Sequence, residues 1–295
     1  MSETVLDVRD LSVSFGGVRA VDGLTFSVRE GEVLSVIGPN GAGKTSAFNC
    51  ITGFYKPRSG SVVFNGAQIT GRRPAIIAAH GIARTFQNLR LFGDLTVLDN
   101  VRAGMHVRLK QNAFDAVLHT PRYRRSEREA TEQARRWLDF VGVRSDWALQ
   151  ARNLPYGEQR LTEIARALAR EPKMLLLDEP AAGLNHGEKE QFLRLLRRIS
   201  ELGIAVVLIE HDMGLVMEVS ERIVVLSYGK EIADGTPEQI RTDPDVIAAY
   251  LGVEDEGVRA EAERIAAEGA ETPQEPVAGV PTPDEAPRPG EEERS

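Results

Sequence analysis

Cysteine is almost missing from this chain of 295 residues: a single thiol, Cys50, excludes an internal disulfide and fits a reducing compartment. Long apolar runs are missing too. No stretch approaches the ~18 consecutive apolar residues of a membrane span. The opening MSETVLDVRD lacks the basic-then-apolar pattern of a secretory leader. The five histidines are scattered without metal-ligand spacing. There is no internal repeat.

A strong basic field is absent as well, which argues against nucleic acid as a partner. The net charge is −8, but most of the imbalance sits at one end. From Glu254 onward there are 13 acidic and 4 basic residues; the preceding residues carry 32 basic and 31 acidic. That end also holds PQEPVAGVPTPDEAPRPG, with few large apolar side chains. It cannot bury enough surface to offset ordering, so 254–295 is expected to be a disordered tail, with VRAEAERIAAEGA as a transient helix. The body, 1–253, is expected to fold.

What is present is an alternation of strands and helices. TVLDVRDLSVSF and LTFSVREGEVLSVIG predict two or three strands with a turn at Glu30-Gly31. SGSVVFNGAQIT predicts a hairpin closed by Asn65-Gly66, and with the first strands a small antiparallel sheet. Residues 94–170 read as helical, with a capping box at Ser126 and Glu129 and a stop at Gly142. The basic run RYRRSERE reads better as a solvated helix face than as an anion site. From residue 174, MLLLDEP, KEQFLRLLRRIS, AVVLIEHD, MGLVMEVS and RIVVLSYGK predict continuous apolar strands separated by helices, the pattern of a parallel sheet covered on both faces. Asp243-Pro244 opens a last helix that ends near Gly252.

Between the strand VLSVIG and the helix SAFNCITGFY lies GPNGAGKTS. Its glycines let successive N–H groups curl round phosphate oxygens, and the next helix presents its positive end to the same anion. Gly38, Asn40, Gly41, Ala42, Gly43 and Ser46 belong to this cradle. Lys44 is placed to reach the β- and γ-phosphates, and Thr45 to ligate Mg²⁺. The strand MLLLDE ends in two carboxylates, which is expensive unless they serve a cation or catalysis. Asp178 is expected in the Mg²⁺ shell and Glu179 as the general base for water. A third stretch, NLPYGEQR, precedes the helical run LTEIARALAR. By itself it could be an accidental helix start, a damaged phosphate contact, or a working variant of one.

Taken in order, these motifs over 4–252 resemble the ATP-binding cassette (ABC) family. The resemblance implies an α/β P-loop NTPase core with a mostly parallel sheet, an antiparallel β subdomain and a helical subdomain near 94–170. It implies that Phe15 stacks on adenine and that Gln87 links Mg²⁺ and the attacking water to a membrane partner. It also implies that His211 contacts the γ-phosphate and supports Glu179. Pro155, Tyr156, Gly157 and Glu158 correspond to the signature that completes the ATP site of a second cassette. Pro155 and Tyr156 depart from the common Ser and Gly, and Asn185 stands where most members have Asp.

A closer resemblance is to the LivG-type ATPase subunits of branched-chain (hydrophobic) amino acid uptake transporters. The phrases NCITGFYKPRSG, GIARTFQNLRLFGDLTVLDNV, TPRYRRSERE, NLPYGEQR and YGKEIADGTPE carry it. It makes the Pro155 signature a family variant and implies ATP hydrolysis coupled to import. A second ATPase subunit, two transmembrane permeases and an extracytoplasmic binding protein would be the partners. The location implied is the cytoplasmic face of the inner membrane. Importers of urea or short amides, and lipid or lipopolysaccharide exporters, are the alternatives. Leu89, Leu91, Phe92, Leu95, Arg84 and Arg90 would offer a groove to a permease helix, with Leu95 and Leu98 read instead as core.

Overall fold

Residues 3–105 and 121–251 are described by a computed structural model. The expected tail at 254–295 and part of the long segment after Met105 lie outside them. The first strands, β1 (Thr4–Phe15) and β2 (Val18–Arg29), pair antiparallel along their length. With β4 (Ser59–Phe64) and β5 (Ala67–Gln68) they form a four-stranded sheet in the order β2-β1-β4-β5. The β4–β5 turn is Asn65-Gly66, both with positive φ (47° and 74°), as a type I′ hairpin demands.

The larger sheet has six strands. β3 (Val33–Ile37), β6 (Ile82–Arg84), β7 (Met174–Asp178), β8 (Ala205–Ile209), β9 (Arg222–Ser227) and β10 (Lys230–Gly235) stand in the order β10-β9-β3-β8-β7-β6. All neighbours run parallel except β10, antiparallel at the edge. Every residue of β3, β7 and β8 is buried, the result expected for apolar strands covered on both faces. Antiparallel β10 and the three-residue β6 did not show in the sequence, because neither carries a long apolar run.

Helices cover both faces. α1 (Lys44–Ile51) packs with the antiparallel sheet on one side of the large sheet, in a core that contains Phe26, Phe48, Phe64, Met174 and Val207. On the other side α3 (Val97–Met105), α4 (Pro121–Val141), α5 (Tyr156–Leu168) and α6 (His186–Glu201) close over Leu175, Leu177, Val206 and Leu208. Short α2 (Pro74–Ala79) precedes β6. The last described helices are α7 (Met213–Val219), α8 (Pro237–Arg241) and α9 (Pro244–Leu251), with Val216, Ile240 and Val246 packed near Ile37.

One helix start differs from expectation. Ser126 and Glu129 lie inside α4, which begins five residues earlier with a proline, a residue suited to the first helical position. The expected stop holds: α4 ends at Val141, and Gly142 takes φ 87°. Arg124, Arg125, Arg128 and Glu129 of the basic run are exposed, a solvated face.

Parallel strands put their carboxyl ends along one edge of a sheet. The pairs Val36–Ile209, Asp178–Ile209 and Arg84–Leu176 bring the ends of β3, β8, β7 and β6 into line. The segments that leave that edge contain Gly38–Ser46, Glu210-His211, Glu179 and Gln87. Four stretches far apart in sequence thereby become neighbours.

Candidate functional site

The loop after β3 can be built only from glycine at two points. Gly38 has φ 145°, and a Cβ there would lie 2.0 Å from the carbonyl oxygen of Leu226. Gly43 has φ 101°, and a Cβ would lie 2.2 Å from the carbonyl oxygen of Ala20. Gly43 is also the N-cap of α1 and offers no side chain to its first N–H groups, so these face an incoming anion. Lys44 folds back, its Nζ donating to the carbonyls of Gly38 (2.6 Å) and Pro39 (2.9 Å). Burial pushes the Lys44 ammonium below its usual pKa, while Glu179 and Asp178 pull it back up. Asn40, Gly41 and Thr45 are exposed, Ala42 is buried and Ser46 half-buried. Phe15 is exposed and meets Tyr55 edge-on, ring centroids 4.9 Å apart.

Asp178 ends β7 in a buried ion pair. Arg84 Nη2 lies 3.0 Å from its Oδ2, with side-chain exposures of 6% and 7%. The other guanidinium nitrogen, Nη1, donates to Asn49 Oδ1 and Thr52 Oγ1 on and just after α1, each at 2.8 Å. Arg84 therefore points inward to the site and not into the surface groove where the sequence placed it. Among described residues no cluster of three His, Cys, Asp or Glu side chains could cage a metal. Asp178, Thr45 and Gln87 are hard oxygen donors and few, which suits Mg²⁺ that keeps waters and takes phosphate oxygens.

Glu179 sits in the left-handed region at φ 47°. Such strain costs about 1–3 kcal/mol and is found where the surroundings over-determine a residue. Its N–H donates to the Ile209 carbonyl (2.9 Å), which ties β7's exit to β8's. Gln87 Nε2 donates to Glu179 Oε2 (2.9 Å), and His211 Nδ1 stands 3.9 Å from the same oxygen. The three residues expected to act on water are thus gathered about one carboxylate.

Glu210, which the sequence did not single out, supports this group from below. Its Oε1 accepts from Ala181 N–H (2.8 Å) and its Oε2 from His211 N–H (3.2 Å). It is buried, and burial pushes its carboxyl above the usual range against these hydrogen bonds. The strand-end sequence LIEHD offered the residue, but only the fold shows that it faces Ala181.

A second group forms at the start of α5. Pro155 is the N-cap with extended backbone (φ −53°, ψ 149°). Tyr156 is partly exposed, its ring on Gly183 and its hydroxyl accepting from Arg160 Nη2 (3.2 Å). Gly157 faces Glu188, whose Oε1 would lie 2.4 Å from an added Cβ. Glu158 accepts from the N–H groups of Arg144 (3.3 Å) and Ser145 (3.2 Å), so its carboxylate serves a loop of this chain. Asn185 caps α6: its side chain accepts from Glu188 N–H (3.0 Å), and Glu188 accepts from Asn185 N–H (2.9 Å). Asn caps as well as Asp, so the departure at 185 leaves this local contact whole.

The segment that follows Gln87 in the chain, with Leu149, is partly apolar at its surface. Phe92, Leu95 and Leu149 are exposed and Leu89 and Leu91 half-buried, while Arg90 stacks on Phe86 at 4.2 Å. Leu98 packs on the helical core as expected. Leu95 does not; it turns to solvent between Asp94 and Thr96.

The family profile described as ABC transporter matches residues 21–182. A second, described as branched-chain amino acid ATP-binding cassette transporter, matches 230–256. The high-affinity branched-chain amino acid transport ATP-binding protein BraF of Pseudomonas aeruginosa is 49% identical over 253 residues, 85% of this chain and 99% of that one. The corresponding LivG of Escherichia coli is 46% identical over 253 residues, with the same shares covered. Among solved structures, the ADP conformation of MJ1267, an ATP-binding cassette of an ABC transporter, superimposes with TM-score 0.74 at 30% identity over 85% of this chain and all of that one. A nucleotide-free cassette from an ABC transporter gives 0.73 at 31% identity, covering 84% and 98%.

Proposed function

Because the chain belongs to the ABC transporter family, as its ATP-hydrolysing, ATP-binding subunit, we propose that it drives the import of branched-chain and related hydrophobic amino acids through partner permeases. The observation that carries the cargo is the match of 230–256 to the branched-chain profile, on a body nearly half identical to transport proteins named for that cargo. These relatives favour it over urea, short amides or lipid export. No helix among the described residues is long and apolar enough to cross a membrane. The exposed Phe92, Leu95 and Leu149 suit a permease helix at the cytoplasmic face. A second ATPase subunit and an extracytoplasmic binding protein complete the importer.

In this reading the Gly38–Ser46 loop holds the phosphates of ATP and Phe15 receives the adenine. Thr45, Asp178 and Gln87 would hold Mg²⁺, which would supply neutralisation of the phosphate charge. Glu179 takes the proton from water, oriented by Gln87 and His211 around its Oε2. Pro155, Tyr156, Gly157 and Glu158 form the face presented to the partner's ATP. There the α5 N-terminus is the attracting element, and Glu158 acts by shaping the loop at Arg144 and Ser145.

The test is the chain assembled with its permeases and binding protein in proteoliposomes. ATP-dependent uptake of leucine above that of urea or an amide is expected; the reverse preference overturns the cargo. Glu179→Gln should leave ATP binding intact and lower turnover by ~10²–10⁴-fold, the range for losing a general base. Near-normal hydrolysis would remove Glu179 from that role.

A further inference from the structure

Arg160 heads the largest side chains with no accessible surface among the described residues. Burying a guanidinium is costly, and a well-packed apolar residue often serves stability as well. The hydrogen bonds therefore matter more than the packing. Nη1 donates to the carbonyl of Phe86 (2.9 Å) and to Glu163 Oε2 (3.0 Å). Nη2 donates to the carbonyl of Gln87 (2.9 Å) and to the hydroxyl of Tyr156 (3.2 Å). Glu163, also buried, accepts from Arg90 N–H (3.1 Å), and Arg166 Nη1 donates to the Arg90 carbonyl (2.6 Å). Residues 160, 163 and 166 recur at three-residue spacing, on one face of α5. That face bolts both ends of segment 86–90 to the helix.

The same segment carries the Gln87 side chain, which donates to Glu179. One turn before Arg160 on α5 stands Tyr156, in the signature. A continuous set of hydrogen bonds thus runs from Tyr156 through Arg160 to the Gln87 backbone, and from the Gln87 amide to Glu179.

We propose that Arg160 is a positioning residue that couples this chain's signature to its own hydrolytic centre. Seating of the signature on the partner's nucleotide shifts α5, and Arg160 carries the shift to the Gln87 backbone. The Gln87 amide then sets the orientation of the Glu179 carboxylate. Each site would so be informed of the other's occupancy. The proposal rests on the roles given above to Gln87, Glu179 and the signature.

The test uses the full chain in its assembled transporter, with nucleotide affinity, turnover and thermal midpoint measured on each variant. Arg160→Lys keeps a cation and most of the stem but cannot fork to four acceptors. Tyr156→Phe removes only the hydroxyl and leaves the ring on Gly183. For Arg160→Lys a fall in kcat of at least tenfold is expected, with ATP affinity within twofold of wild type. For Tyr156→Phe a fall in kcat of at least threefold is expected, with the thermal midpoint unchanged. Wild-type kcat in both variants overturns the relay, and so does parallel loss of affinity, kcat and midpoint, which marks a structural pin. If Arg160→Lys fails to fold, Tyr156→Phe decides alone. Glu179→Gln is run beside them: should it turn over normally, the reading of the site has failed and not the coupling alone.

Discussion

Replacing Arg84 by Met tests how the resting site tolerates the charge of Asp178. Methionine keeps an unbranched stem but removes the guanidinium that lies 3.0 Å from Asp178 Oδ2 and bonds to Asn49 and Thr52. Both partners of the pair are more than nine-tenths buried. Removing one partner of a buried pair costs about 3–5 kcal/mol, because the other charge is left unpaired. Lys44 also interacts with Asp178 and moderates the loss, so the low end applies. About 3 kcal/mol in a chain of this size lowers the thermal midpoint by ~6–12 °C. The assay is thermal unfolding without nucleotide, in the wild type, Arg84→Met, Asp178→Asn and the double variant. The double variant should lose less than the sum of the singles, by ~1–3 kcal/mol, the size of a direct contact. Millimolar Mg²⁺ should raise the Arg84→Met midpoint more than that of the wild type, since the metal then meets no competing cation. A midpoint within 2 °C of wild type, or strict additivity, refutes the reasoning.

Gly157→Ala should drive Glu188 away from Asn185 N–H and so remove one arm of the α6 capping box. A loss of about 1 kcal/mol is expected, or ~2–4 °C. In a Glu188→Ala background the same substitution should be close to neutral; an equal loss there would show that Glu188 is not the obstacle. Acid should expose the pair at the start of α7. Asp212 accepts from Lys189 (2.6 Å) and Leu215 N–H (3.2 Å), and the lysine holds its carboxyl below the usual range. Its stabilisation is therefore present above the unfolded pKa of about 4 and fades as pH falls through the lower folded value. Asp212→Asn should flatten the fall in thermal midpoint between pH 5 and pH 2; parallel curves for variant and wild type would rule the pair out.

The parts of this site that could be read in the sequence are short in range. Gly38–Ser46 works within one loop and one helix turn, and Asp178-Glu179 ends one apolar run, so local pattern suffices for both. The supporting charges are different. Arg84 meets Asp178 across 94 residues, and Arg160 meets Phe86 across 74. On the sequence, Arg160 and Glu163 look like any solvent-facing pair of an amphipathic helix. They are inside because segment 86–90 returns over that face, and β6, the strand that delivers it, is only three residues long. Leu95 departs from the core position expected for it for the converse reason: an apolar residue in an irregular segment has no period to state its side, and this one faces water. The same irregular stretch thus buries charge on α5 and leaves apolar surface outside. A segment held by polar bonds within and offering an apolar face without can transmit a push in either direction. That combination suits the proposed coupling between a permease and Glu179.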